Sequence, residues 1–281
     1  MSTLHLVATP IGNLEDISAR ALRVLRQVGL IAAEDTRHTA HLLQHYGILT
    51  PCLSYHEHNK LVRLERILAA LETGDVALVS DAGTPALNDP GYELVRAALA
   101  AGHAVSPVPG ACAPVAALVA SGLPTDTFLY LGYLPRRPVE RQRLLQNVAG
   151  LPYTLIFLET PHRLLDGLVD LAVVLGDRQV AVGRELTKLH EEIFRGSLSQ
   201  ASAHFTAQPP RGEFTLVVAG HTAQAVRWSE VDLRAALLPA HSQAEKPAAL
   251  ARRLAAESGW SKSEVYEFLE RLREEQSDEP G

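Results

Sequence analysis

Short apolar runs alternate with stretches of helical period along most of the chain. The runs are rich in β-branched and aliphatic residues, and most are followed by Gly, Pro, Asn or Asp. This alternation is typical of an α/β protein. In the first half it predicts strands at residues 4–9, 30–33, 76–80 and 104–108, and helices at 19–28, 60–71 and 113–120.

A cluster of Gly and Pro at residues 121–126 interrupts this pattern. Such residues punctuate regular structure, so we place a domain boundary after residue 122. Beyond it the pattern predicts strands at 127–132, 153–158, 180–184, 193–196 and 214–219. Because only short segments connect the last two runs to their neighbours, we expect them to form a mixed or antiparallel edge of the second sheet.

The last part of the chain has a helical pattern. Capping-box sequences at 242–245 and 261–264 predict helices that end near residues 256 and 275. Val265, Phe268, Leu269 and Leu272 form one apolar stripe on the second of these, and residues 277–281 are expected to be disordered. The predicted organisation is an N-terminal α/β domain at 1–122, a C-terminal α/β domain at 123–225 and a helical module at 226–281.

Composition narrows the class of protein. A chain of 281 residues with 47% hydrophobic and 21% charged residues is typical of a globular protein in solution. No apolar run approaches the ~20 residues of a membrane span, and no signal peptide is evident at the start, so we expect a cytoplasmic location. A net charge of -6 argues against nonspecific coating of nucleic acid. Cys52 and Cys112 predict neither a disulfide framework nor a zinc ribbon, although a single bridge stays open.

Three Gly-containing loops follow predicted strands, at residues 9–14, 80–91 and 108–113. Ligands of open α/β sheets bind beyond the carboxyl ends of the strands, where Gly lets the backbone approach them. None of the three loops matches the dinucleotide-binding pattern of glycines. Each loop alone could be an ordinary turn, but three at equivalent positions predict a small-molecule site.

The residues of these loops, with others, resemble a known family. The motifs at 8–17, 33–37, 55–59, 80–85, 89–91, 109–110, 157–164 and 184–188 resemble, in this order, the tetrapyrrole-methylase-type, class III methyltransferases that use S-adenosylmethionine. More narrowly, they resemble the branch of that family that methylates 16S ribosomal RNA. The resemblance runs from about residue 4 to residue 220 and is weaker beyond.

The resemblance implies two α/β domains with S-adenosylmethionine in the cleft between them, and a homodimer. It implies 2′-O-methylation of a cytidine in the decoding region of 16S ribosomal RNA in the small ribosomal subunit. The implied cofactor contacts are Pro10, Ile11, Gly12, Asp81, Ala82, Gly83, Thr84, Pro85, Gly110, Ala111, Cys112, Glu159, Thr160, Leu186, Glu213, Phe214 and Thr215.

Deprotonation of a ribose hydroxyl would be helped by a nearby base. The candidates are Glu34, Asp35, His56 and Lys188, with Glu57 behind them. An alternative interpretation is that Glu34 and Asp35 only pair with Arg37 or cap the helix that begins at Thr36. We predict no metal site, because His56 and His58 would share a face only on a strand.

Basic side chains on loops are candidates for phosphate contacts, namely Arg37, Arg136, Arg137 and Arg184. Packing of the helical module against a partner subunit or the main body is favoured over RNA docking, since acidic residues outnumber basic ones there. Two alternative functions stay open: a methyltransferase of the same fold that acts on a tetrapyrrole, and a ribosome-assembly module that binds S-adenosylmethionine without turnover.

Overall fold

The structure is a computed structural model that describes residues 2–57, 59–222, 228–241 and 247–277. The chain divides into two compact units, Met1–His221 and Thr222–Gly281. The strands are β1 (Thr3–Val7), β2 (Leu30–Ala33), β3 (Cys52–Ser54), β4 (Val76–Val79), β5 (Ala104–Val108), β6 (Phe128–Tyr133), β7 (Thr154–Glu159), β8 (Gln179–Arg184), β9 (Glu192–Ser197) and β10 (Phe214–Val218). The helices are α1 (Ala19–Gln27), α2 (Thr36–His45), α3 (Lys60–Leu71), α4 (Tyr92–Ala100), α5 (Ala113–Ser121), α6 (Pro138–Val148), α7 (Leu164–Leu175), α8 (Leu198–Ala207), α9 (Glu230–His241), α10 (Pro247–Ser258) and α11 (Lys262–Ser277).

The first sheet is parallel and has the strand order β3-β2-β4-β1-β5. All four residues of β4 are buried, as expected for a central strand with both faces covered. Apolar clusters lie on the two faces, one around Leu25 and Ile31 and the other around Ile67 and Leu78. Because β4, β1 and β5 are adjacent and parallel, the loops after them leave the sheet side by side.

The second sheet is mixed and has the order β6-β7-β10-β8-β9. β6 runs parallel to β7, and β10 is antiparallel to both β7 and β8. The predicted antiparallel arrangement is confirmed, because β9 and β10 each pair antiparallel with β8, but the prediction that both lie at the edge is wrong for β10. All five β10 residues are buried, and its continuous run Phe-Thr-Leu-Val-Val suits a central strand.

The α/β class and the predicted strands are confirmed, with strand ends that differ by one or two residues. The exception is β3, which has only three residues and gives no recognisable pattern. The predicted boundary at residue 122 falls between the two sheets. Both sheets belong to one compact unit, because an apolar cluster that includes Ile11 and Leu118 from one half and Ile156 and Val217 from the other joins them.

The helical unit has its own core. The predicted stripe of Val265, Phe268, Leu269 and Leu272 is buried there, together with Trp260. The capping box before α11 is confirmed: the Glu264 amide donates to the Ser261 hydroxyl at 3.2 Å, and the Ser261 amide to the Glu264 carboxylate at 2.7 Å.

Other expectations for this region have different outcomes. The capping box predicted at 242–245 lies outside the described residues, as do 278–281. Disorder was predicted from residue 277 onward, but Ser277 is the last residue of α11, so the prediction is wrong for this residue. The unit begins at Thr222, a few residues before the predicted boundary. Elsewhere, Cys52 and Cys112 are both free, so the open possibility of a bridge between them is not realised. No helix in the described part of the chain is long and apolar enough to cross a membrane.

Candidate active site

The three predicted loops are bonded to one another at the carboxyl edge of the first sheet. The Thr9 amide donates to the Gly83 carbonyl at 2.9 Å, and the Gly83 amide returns a bond to the Thr9 carbonyl at 3.1 Å. The Thr84 hydroxyl donates to the Ala111 carbonyl at 3.2 Å, which ties the second loop to the third. Gly83 has φ +80°, a conformation that other residues rarely adopt. The edge is therefore a preorganised backbone surface.

Two close approaches bring the second sheet to this edge. Gly132 lies at an irregularity of β6 between Tyr130 and Tyr133, and a Cβ there would overlap the Asn88 side-chain amide. A Cβ at Gly12 would overlap the Lys188 side chain. Glycine at these two positions allows the halves to approach each other closely.

A cleft of about 260 Å³ lies between the two halves of the first unit. Ten of the predicted cofactor contacts line it: Ile11, Asp81, Ala82, Gly83, Thr84, Cys112, Glu159, Glu213, Phe214 and Thr215. The other predicted contacts, Pro10, Gly12, Pro85, Gly110, Ala111, Thr160 and Leu186, do not line it. Pro10 instead lines a neighbouring cavity of about 170 Å³, together with His38 and Leu42. The contact roles of all seventeen residues stay predictions.

The cleft also has lining residues to which the sequence analysis gave no role: Leu87, Asn88, Asp89, Ala113, Pro114, Tyr130, Tyr133 and Leu158. Asp89 belongs to the motif at 89–91, which is one of those that resemble the family. This motif could therefore have identified Asp89 as a candidate site residue. Tyr130 and Tyr133 could not be found from a motif, because their position at the cleft depends on the irregularity in β6.

A second cavity of about 390 Å³ adjoins the cleft and shares Glu34, Asn88 and Asp89 with it. Its other lining residues are His56, Glu57 and Pro90. Two of the predicted catalytic residues, Glu34 and His56, are therefore brought together. His58 lies outside the described residues.

The shared wall of the two cavities is acidic. Burial raises the pKa of Glu34, and the neighbouring charge of Asp81 adds to that effect. Burial and the charge of Glu34 raise the pKa of Asp89 to about 6. Among the described residues, no Lys or Arg lines either cavity. For Glu34, the hydrogen bond from the Asp81 amide and the charge of His56 oppose the rise in pKa without cancelling it.

Asp81 fixes the loops after β2 and β4 to each other. Its carboxylate accepts a bond from the Asp35 amide at 3.0 Å, and its own amide donates to the Glu34 carboxylate at 3.3 Å. The position of Glu34 is thus set by the backbone of a loop that follows another strand.

Asp35 and Lys188 line neither cavity. The Asp35 carboxylate accepts from the Arg37 amide at the start of α2 and pairs with its guanidinium at 2.8 Å, as the alternative interpretation stated. The hydrogen bonds from Arg37 hold the pKa of Asp35 well below its usual range. Burial acts to lower the pKa of Lys188, but its bonds to Glu185 at 2.9 Å and Glu213 at 3.2 Å raise it overall. A lysine held in the charged form is a poor proton acceptor.

Glu159 and Tyr130 are buried polar groups in the wall formed by the second sheet. The Glu159 carboxylate accepts from the Thr160 amide at 2.8 Å and from Arg163 at 3.0 Å, and burial raises its pKa. Burial also raises the pKa of Tyr130 to about 12. The buried Tyr130 hydroxyl has no hydrogen-bond partner among the described residues, which is a reason to expect a polar ligand in the cleft.

The predicted phosphate-binding arginines are exposed or carry protein partners. Arg37 pairs with Asp35, and Arg137 pairs with Glu140 at 3.3 Å. Arg184 donates to the Arg211 carbonyl at 3.0 Å and lies 3.4 Å from a Glu192 carboxylate oxygen. Arg136 is exposed in the segment between β6 and α6. Their role toward RNA stays a prediction.

Comparison with known proteins places these features in context. The profile of the family described as Tetrapyrrole (Corrin/Porphyrin) Methylases matches residues 3–202. The chain is similar to a protein of Synechocystis sp. (strain ATCC 27184 / PCC 6803 / Kazusa) named Ribosomal RNA small subunit methyltransferase I, with 48% identity over 95% of this chain and 97% of that protein. A protein of Escherichia coli O157:H7 with the same name is 48% identical, over 94% of this chain and 93% of its own length.

Solved structures agree in fold. Diphthine synthase matches 79% of this chain and 91% of its own, with a TM-score of 0.61 and 14% identity. Uroporphyrin-III C-methyl transferase from Thermus thermophilus, complexed with S-adenosyl homocysteine, matches 77% of this chain and 97% of its own, with a TM-score of 0.54 and 20% identity. These likenesses confirm the predicted tetrapyrrole-methylase-like fold.

Proposed function

The chain belongs to the tetrapyrrole methylase family, and from that premise we propose that it methylates the ribose 2′-hydroxyl of a cytidine in the decoding region of 16S ribosomal RNA. The observation that supports an RNA substrate is the similarity, over nearly the whole chain, to the two ribosomal RNA small subunit methyltransferases. The acidic double cavity is the place where we locate the reaction.

The cleft fits S-adenosylmethionine, the methyl donor of this family. When bound, the donor supplies an electrophilic methyl group carried by a positively charged sulfur. The loop segments 81–84 and 112–113, which line the cleft, would hold it through backbone groups, and the unpartnered Tyr130 hydroxyl would gain a partner. The carboxylates of Glu34, Asp81 and Asp89 complement its positive charge.

The second cavity is the proposed position of the ribose. This cavity is lined by carboxylates, and no Lys or Arg is among its described lining residues. Such a lining disfavours a phosphate, but it can accommodate a neutral hydroxyl. The flanking phosphates would contact basic residues outside the cavity, and Arg37, Arg136, Arg137 and Arg184 are the candidates. Orientation of the hydroxyl in this cavity would supply much of the rate.

We propose that the substrate is the assembled small subunit and that the enzyme is a cytoplasmic homodimer. A protein with a net charge of -6 gains little from general attraction to phosphates, so recognition of a shaped particle is the better explanation. Methylation should therefore be faster on subunits than on protein-free 16S RNA, and light scattering should give twice the mass of one chain.

The decisive experiment is transfer of radiolabelled methyl groups from S-adenosylmethionine to subunits that lack the modification, followed by nucleoside analysis. We expect the label in 2′-O-methylcytidine. Subunits that already carry the methyl group are the matched control and should stay unlabelled.

Two other outcomes would replace the proposal. Label in a tetrapyrrole and none in RNA would assign the chain to the ring-methylating branch of the family. Binding of S-adenosylmethionine with no transfer to any acceptor would indicate the non-catalytic assembly module.

A further inference from the structure

Asp89 occupies an unusual position on the wall that the two cavities share. It lies in the loop between β4 and α4 and lines both the cleft and the second cavity. Its neighbour Asn88 has φ +64°, and Ala86 has φ +66°, which non-glycine residues seldom adopt. Such backbone conformations cluster at functional sites, where the surrounding structure holds them in place.

The charges that act on Asp89 come from carboxylates. Glu34 and Asp81 approach it from the loops after β2 and β4, and Ser80 gives it a hydrogen bond. Tyr130 and Tyr133 approach from β6, while His56 and Glu57 lie on the other wall of the second cavity. The charges of Glu34 and Asp81 both raise the pKa of Asp89, and together with burial they outweigh the hydrogen bond from Ser80, which lowers it.

These surroundings make Asp89 a stronger base than an ordinary carboxylate. Burial, with the charge of Glu34, raises its pKa to about 6, whereas a free aspartate ionises near 3.9. A general base is most effective when its pKa lies close to the working pH. At pH 7 Asp89 is still mainly ionised and can accept a proton.

We infer that the Asp89 carboxylate accepts the proton of the substrate hydroxyl, an inference that rests on the proposed function. The O–H bond of the ribose breaks and its proton moves to Asp89. The oxygen forms its bond to the methyl carbon as the methyl–sulfur bond breaks, and the sulfur keeps that electron pair. The carboxylate and the sulfonium both become neutral, so the charges balance.

Glu34 is then a positioning residue and not the acceptor. Its carboxylate accepts from the Asp81 amide at 3.3 Å, which fixes it beside Asp89. From that position its negative charge keeps Asp89 basic. The two roles differ in their effect on pH dependence, and this difference makes them separable.

The test measures kcat between pH 5 and 9 on unmodified subunits for the wild type, Asp89→Asn and Glu34→Gln, with Asp126→Asn as control. Asp126 is an exposed aspartate between α5 and β6 and lines neither cavity. We expect Asp89→Asn to lower kcat by about 10²- to 10⁴-fold and to remove the acidic limb of the profile. Glu34→Gln should keep the limb but move it to lower pH, and Asp126→Asn should match the wild type.

Binding of S-adenosylmethionine to each variant, measured by calorimetry, verifies that the cleft is intact. The inference is overturned if Asp89→Asn binds the cofactor and keeps the wild-type rate, or if Glu34→Gln loses the limb while Asp89→Asn only shifts it. If Asp89→Asn fails to bind the cofactor, Asp89→Glu takes its place, and an unchanged limb position in that variant also overturns the inference. Failure of the wild type to label RNA is a separate result, since it overturns the proposed function and the inference together.

Discussion

Glu34 and Asp35 are neighbours in sequence but have opposite surroundings. Glu34 faces the acidic cavities with Asp89, and burial raises the pKa of both groups. Asp35 turns to the start of α2, where hydrogen bonds from Arg37 lower its pKa. Glu34 thus lies with Asp89 on the acidic wall of the cavities, while its neighbour Asp35 is kept ionised and stabilises a helix.

The contrast extends to the rest of the first unit. Asp170 pairs with Arg141 at 2.5 Å in the interior, and Lys188 joins Glu185 to Glu213 near the cleft. Carboxylates with a cationic partner are therefore expected to support stability, and the cleft carboxylates without one to support function at some cost in stability.

The largest effect is expected at the buried ion pair. Arg141→Met leaves Asp170 without its cation, and the side chains of Arg141 and Asp170 are only 5% and 11% exposed. Loss of one partner of a buried pair costs about 3–5 kcal/mol of unfolding free energy. Denaturant unfolding at pH 7 measures this loss, and the double variant Arg141→Met with Asp170→Leu should recover most of it. A loss below about 1 kcal/mol would contradict the structural role.

A change of opposite sign is expected in the acidic cleft. The pKa of Asp89 is raised to about 6 in the folded protein, so its ionisation at pH 7 disfavours folding. Asp89→Asn should raise the unfolding free energy at pH 7 by roughly 1 kcal/mol, once the pKa shift is discounted for solvent screening.

The pH dependence gives the sign of this effect. An acidic group whose pKa is raised by folding contributes stability that is fully present below its unfolded pKa. That stability is lost as the pH rises through the folded pKa. The stability gap between Asp89→Asn and the wild type should therefore narrow as the pH falls from 7 toward 4. Asp126→Asn serves as the exposed control. A stability gap that does not change with pH would show that folding does not raise the pKa of Asp89.

Loss of the helix cap is expected to have a smaller effect. Asp35→Ala removes the acceptor for the Arg37 amide and should lower the melting temperature by about 2–4 °C. Asp35→Asn keeps a capping side chain and should lower it by less. Neither variant should change the acidic limb of the rate profile, and disappearance of that limb in Asp35→Asn would make Asp35 the proton acceptor instead.

The smallest stability change is expected at Arg37, whose side chain is 90% exposed. Arg37→Ala should move the melting temperature by about 1 °C or less, because exposed ion pairs contribute little. If Arg37 binds a phosphate, the KM for subunits should rise and its salt dependence should weaken by about one unit of slope. An unchanged KM at low salt would remove Arg37 from the RNA contacts.

Local patterns in the amino-acid sequence were sufficient to predict every strand except β3, and also the three loops. Strands such as β2 and β5 follow from local apolar runs, and the loops follow from Gly and Pro that act within a few residues. The family followed from motifs whose order and residues resemble those of that family. Glu34 could be chosen because its chemistry and its place after a predicted strand are both visible in the chain, whereas His56 follows β3, which was not predicted, and was chosen for its side-chain chemistry.

Which of these residues share a surface depends on the tertiary fold. The central place of β10 depends on pairing with β7 and β8, and the role of Asp89 depends on Glu34 from a different strand and on two tyrosines of the second sheet. The separation of Glu34 from Asp35 is of the same kind. A pKa is set by burial and by charges that are distant in sequence, so the chain supplies the carboxylates but only the fold determines which of them stays basic.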